Sequence, residues 1–145
     1  MYSIIRLLTL SSKQSDGNPN VPCTGDGNCG LMQAGRGSVS FDASRERDSI
    51  YQMVYDGSVG TSGGYGIAQD MDDDGSHYPW TQNPFVGNPY AAARVYNSGH
   101  IESSGNLDHA EWGTPSYVNS IANRLLGWDG SNRGAVERQV CGFAV

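Results

Sequence analysis

Apolar residues recur at helical spacing in four stretches of the chain, and each stretch is bounded by recognisable start or stop residues. Ile4, Leu7 and Leu8 share one face, which predicts a first core helix near the start of the sequence. Asp42 or Ser44 is placed to cap a second helix running to about Asp56, with Ile50, Met53 and Val54 facing inward and Gly57 ending it. Asn88-Pro89 is a strong third start. Asn caps, and Pro at the first helical position lacks only an amide hydrogen that would be orphaned there anyway. Ala91, Ala92 and Ala93 propagate this helix and Gly99 stops it. Thr114-Pro115 repeats the start signal, and Tyr117, Val118, Ile121, Ala122 and Leu125 give the fourth helix an apolar stripe that ends at Gly127.

The segments between these helices are polar and rich in turn residues. Asp16-Gly17-Asn18-Pro19-Asn20 and Gly25-Asp26-Gly27 read as surface turns. The stretch from Gly57 to Gly87, with Tyr65, Tyr78, Trp80 and Phe85, reads as one long loop, and loops of that length are usually functional or mobile. Residues 129–145 read as a tail. There is no internal repeat, heptad array or sustained alternation for a main sheet, so the pattern predicts one mostly helical α+β domain over residues 1–145.

Composition narrows the picture. At 145 residues the chain suits a single core. Its 20 glycines have no period and lie among aromatic and aliphatic positions, which indicates loops more than disorder. A formal charge of -6 argues against nucleic acid, whose binding depends on clustered Lys and Arg. It also favours a neutral glycan over an anionic one. No apolar run approaches the roughly 18 residues of a membrane span. Arg6 interrupts the first apolar stretch, which lacks the basic start and cleavage pattern of a signal peptide. A chain that begins inside its first core helix reads as lacking its natural start.

Cys23, Cys29 and Cys141 are an odd set, and the five residues between Cys23 and Cys29 match neither a zinc nor a redox spacing. They suit a small disulfide loop, which implies an oxidising compartment; the alternative is three reduced, partly buried thiols. Asp70-Met71-Asp72-Asp73-Asp74-Gly75 copies the first half of an EF-hand calcium loop, but the twelfth position is Thr81 in place of the bidentate glutamate. His77, His100 and His109 have no ligand spacing among themselves or with the cysteines. No metal and no cofactor are expected.

Three motifs carry candidate chemistry: Gly30-Leu31-Met32-Gln33 after Cys29, Ala91-Ala92-Ala93-Arg94-Val95-Tyr96-Asn97-Ser98-Gly99, and Tyr117-Val118-Asn119-Ser120-Ile121-Ala122-Asn123-Arg124-Leu125. In this order they resemble the signature of the soluble lytic transglycosylase and goose-type lysozyme superfamily, over about residues 4 to 128. The resemblance is strongest to short secreted fungal proteins with a transglycosylase-like domain. It implies a lysozyme-like fold and a groove for β-1,4-linked glycans that contain N-acetylglucosamine, as in peptidoglycan or chitin. It further implies that Gly30 to Gln33 form a turn beside the catalytic glutamate, with Gln33 contacting sugar. Tyr96 and Asn97 would line the cleft, and Tyr117 would bring its hydroxyl near the catalytic carboxyl. Taken alone, Leu31 and Met32 read as core, and Tyr96 as a buried aromatic.

The family's single glutamate protonates the leaving oxygen and then acts as base, with the substrate's N-acetyl group assisting, so no second carboxylate is needed. That glutamate stands in a Glu-Ser dipeptide, whereas here the matching dipeptide is Gln14-Ser15. An amide accepts and donates hydrogen bonds but transfers no proton. The nearest carboxylate is Asp16; Glu102 and Glu111 lie in the loop after the Tyr-Asn motif and read as solvated charges or groove residues. The expected activity is therefore glycan cleavage of the lysozyme or lytic transglycosylase type, with a catalytic position that lacks its acid. Two alternatives stand beside it: a non-catalytic glycan-binding relative and a secreted effector-type interaction protein. The expected protein is secreted and monomeric, with an amino-sugar glycan as its partner.

Overall fold

The computed structural model describes residues 13–72 and 86–128. The predicted first helix over residues 4–8, the aromatic residues Tyr78, Trp80 and Phe85, the second half of the Asp70–Gly75 motif, His77, Cys141 and the tail lie outside the described residues. The chain divides into two compact units, Met1–Asp70 and Met71–Val145. Both are helix-rich, and a small two-stranded ribbon makes the fold α+β.

In the first unit, residues 13–15 are helical, and the chain then turns through left-handed backbone at Asp16 and Gly17, with φ of 52° and 75°. Thr24 and Asn28 exchange two backbone hydrogen bonds of 2.9 Å. Just outside that hairpin the Cys23–Cys29 disulfide closes the loop. A second tight reversal follows, where Gln33 N–H donates to Gly30 O at 3.0 Å and Cys29 bridges to Ala34.

Helix α1 (Glu46–Val59) is preceded by a short 3-10 turn at Ala43–Arg45, capped by Asp42. Its buried face is Ser49, Met53, Asp56 and Gly57, while Ile50 and Val54 are only half-buried. Gly57 does not end it. A Cβ at Gly57 would lie 2.4 Å from Met32 Cβ, so this glycine is a notch that receives the wholly buried Met32. The stop comes at Gly60, at φ 99°. The predicted long loop likewise contains structure. Strand β1 (Gly60–Thr61) pairs antiparallel with β2 (Gly64–Tyr65), Gly60 opposite Tyr65, and helix α2 (Ile67–Asp72) follows.

In the second unit, helix α3 (Pro89–Ser98) begins and ends where the sequence predicts. Asn88 Oδ1 accepts from Tyr90 N–H at 2.9 Å and Ala91 N–H at 3.3 Å, and Gly99, at φ 80°, returns its N–H to Val95 O. Ala91 and Val95 pack with Ile101 and Leu107. Helix α4 (Tyr117–Leu125) starts after Ser116, two residues beyond the predicted cap, because Thr114 to Tyr117 form a turn closed by Tyr117 N–H to Thr114 O at 3.0 Å. Its buried face includes Ser120 and Arg124, whereas Ala122 and Leu125 are half-buried. Arg124 is tolerated there because its guanidinium lies 4.8 Å over the Trp128 ring.

Candidate functional site

The motif residues fall into two groups, one in each unit. In the first unit Gln14 is half-buried and Ser15 buried at the helical end, while Asp16 is exposed on the following turn. Gly30 occupies left-handed backbone at φ 75°, and a Cβ there would lie 2.6 Å from Met53 Cγ and 2.7 Å from Val39 O. The reversal is thus pressed directly against α1, and only glycine fits. Leu31 and Met32 point into the core, at 8% and 0% exposure.

Gln33 also adopts left-handed backbone, at φ 47°. Its side-chain amide serves the loop itself. Oε1 accepts from Thr24 Oγ1 at 2.7 Å, and Nε2 donates to Gly30 O at 3.0 Å and Pro22 O at 3.3 Å. Gln33 therefore staples the disulfide hairpin to the Gly-Leu-Met-Gln turn. Ser38 holds the same reversal from its other side, accepting from Cys29 N–H and donating to Ala34 O, each at 2.9 Å. Beneath it, the buried Asp56 carboxylate accepts from Val39 N–H at 3.0 Å and Gln52 Nε2 at 2.7 Å.

In the second unit the centre is Arg94, whose side chain is fully buried. Nη1 donates to Leu107 O at 3.4 Å and Pro115 O at 3.2 Å, and Nη2 donates to Thr114 O at 2.9 Å and to Asn97 Oδ1. Asn97 Oδ1 also accepts from Thr114 N–H at 2.8 Å. The guanidinium sits 5.9 Å from the centre of the Tyr117 ring, itself 1% exposed. Burial pulls the Arg94 pKa below its ordinary value, and Tyr117 and Asp108 push it back up. An arginine keeps its proton in such a setting, and a planar fork matches several carbonyls at once. Tyr96, one residue before Asn97, is half-buried.

Asn97 and Tyr117 are thus drawn into one neighbourhood around Arg94, although the second and third motifs are separate in sequence. Sequence reasoning missed the residue that does this. Arg94 was only a spacer in the Ala-Ala-Ala-Arg-Val run, yet it follows three alanines and precedes Val95 on a helix whose residues 91–95 are all buried. A lone basic residue on such a face demands buried acceptors, and that was the available signal.

A further grouping joins residues whose spacing gave no hint of it. His100 Nε2 lies 3.3 Å from Glu102 Oε1, which also accepts from Glu111 N–H at 3.1 Å. The ligand-type atoms of His100, Glu102 and Glu111 all lie within 4.8 Å of one another. An open concavity beside α1, of about 170 Å³ and lined in part by Val39, Asp42, Arg45 and Gln52, contains none of the motif residues. It is too small for an oligosaccharide. Comparison of the chain with protein-family models, with curated proteins and with solved structures finds no match.

Proposed function

We propose that this protein recognises β-1,4-linked glycans containing N-acetylglucosamine, through a lysozyme-like fold of the lytic transglycosylase type. We further propose that Gln14 occupies the position of the catalytic acid. The observation that carries this reading is the joining of the C-terminal end of α3, which carries Tyr96 and Asn97, to the start of the Tyr117 helix through Arg94 and Asn97. Two segments with the sequence of sugar-cleft motifs are held together by bonds from the buried Arg94 guanidinium, a costly arrangement for residues that merely fill space. Support from the first unit is the fixed reversal at Gly30 to Gln33. The disulfide in that loop agrees with a secreted protein.

With glutamine at the acid position, leaving-group protonation is missing, and its loss costs on the order of 10²- to 10⁴-fold in rate. The second reading is therefore a glycan binder that retains the recognition residues without turnover. It is favoured by the half-buried Gln14 amide beside a carboxylate, Asp16, that faces solvent. Mass spectrometry of products separates the two, after the protein and its Gln14→Glu variant are incubated with peptidoglycan and with chitin oligomers. Cleavage by the variant alone is the expected result. Cleavage by the unaltered chain would move the catalytic position elsewhere, and silence from a folded variant that still binds would establish the binding role.

A further inference from the structure

The loop from Gly99 to Thr114 brings an imidazole and two carboxylates from separate points in the sequence to one place. We propose that His100, Glu102 and Glu111 form a three-ligand site for a divalent transition-metal ion of the zinc class. The inference is independent of any action on glycans. Zinc binds histidine nitrogen and carboxylate oxygen at about 2.0–2.2 Å, so two such ligands on a tetrahedral ion stand about 3.3–3.4 Å apart. The separation of His100 Nε2 and Glu102 Oε1, 3.3 Å, already has this value. Glu111 completes the set within 4.8 Å and is exposed, so rotation of its side chain closes the third edge.

The backbone carrying the ligands is held from outside the cluster. The single Ser98 hydroxyl proton is shared between His100 O at 2.7 Å and Arg94 O at 2.8 Å, and Gly105 N–H donates to Glu102 O at 2.8 Å. Buried Ile101 anchors the chain between the first two ligands. Donor chemistry selects the ion: calcium and magnesium take all-oxygen shells, whereas imidazole with carboxylates suits zinc and its neighbours in the first transition row. Two carboxylates with a neutral imidazole balance a divalent charge.

The test uses the tag-free full chain after chelator treatment, titrated calorimetrically with Zn²⁺ and followed with Co²⁺ for its ligand-field spectrum. One equivalent is expected to bind, with a tetrahedral Co²⁺ spectrum. His100→Ala, Glu102→Gln and Glu111→Gln should each weaken binding by at least about tenfold, whereas His109→Ala leaves it unchanged. Glu111→Gln, at an exposed position, guards against a folding artefact. No saturable binding up to about 1 mM, an affinity too weak for a built site, overturns the proposal. So does binding that persists in all three ligand variants, because the ion then sits elsewhere, for example at the acidic run beginning at Asp70.

Discussion

Asn97 illustrates how a residue with the sequence of a binding motif can be consumed by architecture. Its single carbonyl oxygen serves both the Arg94 guanidinium and Thr114 N–H, and a Cβ at Gly113 would lie 2.6 Å from that oxygen. Asn97→Ala leaves one N–H of the buried Arg94 guanidinium without its acceptor, while the exposed Thr114 N–H can turn to water, and the expected loss is about 1–3 kcal/mol in denaturant unfolding. Asn97→Asp keeps the acceptor and adds a charge facing the guanidinium, so it should lose markedly less. The sequence made Asn97 visible as a motif member, whereas the carbonyl-binding role of Arg94 depends on Leu107, Thr114 and Pro115, which only tertiary structure brings to it. Gln33 repeats the lesson. The family resemblance gave its amide an expected role at sugar, while its observed partners Thr24 and Pro22 are set by how the disulfide hairpin folds back.

Among the elements, α3 was readable at both ends because its start and stop are local: Asn88 and Pro89 begin it, and Gly99 reverses it. Helix α1 was not, since Gly57 reads as a stop until Met32 is seen lying against it. Gly57→Ala should therefore act opposite to its helix propensity. Alanine favours a helix by about 1 kcal/mol, but overpacking here costs about 1–3 kcal/mol, so a lower Tm on thermal unfolding is expected. The β1–β2 ribbon escaped prediction because two-residue strands are too short to alternate, and their glycines look like loop. The Asp42 cap has a pH consequence. Hydrogen bonds from the Ser44 hydroxyl and the Ser44 N–H, then from Arg45, hold its carboxyl below the ordinary value of 3.8. A lowered folded pKa means the contribution is fully present above that value and is lost as pH falls through it and below. Protection of the Ser44 and Arg45 amides, taken relative to the intrinsic exchange rate at each pH, should accordingly fall under acid conditions, while that of Tyr90 and Ala91, capped by the neutral Asn88, should hold.

For the molecule as a whole, the α+β class and helix-rich character followed from periodicity, while the division at Asp70 left no mark in composition. The disulfide was one of two readings, and the structure forms it between Cys23 and Cys29. Closing so short a loop stabilises by about 2 kcal/mol in the chain-entropy model. A Cys23→Ser, Cys29→Ser double variant should lose that amount in denaturant unfolding, and NMR shifts should concentrate at Thr24, Pro22 and Gln33. The segment from Gly99 to Gly113 carries one more implication. Its two ends are fastened by the side chains of Arg94 and Asn97 to the backbone of Thr114 and Pro115, with no strand pairing through its middle. Closure cost grows only with the logarithm of length, about 0.6 kcal/mol for each doubling. The exposed Ser103–Ser104 tip is thus a natural graft point, where foreign peptide can be displayed while the anchors beneath it stay as they are.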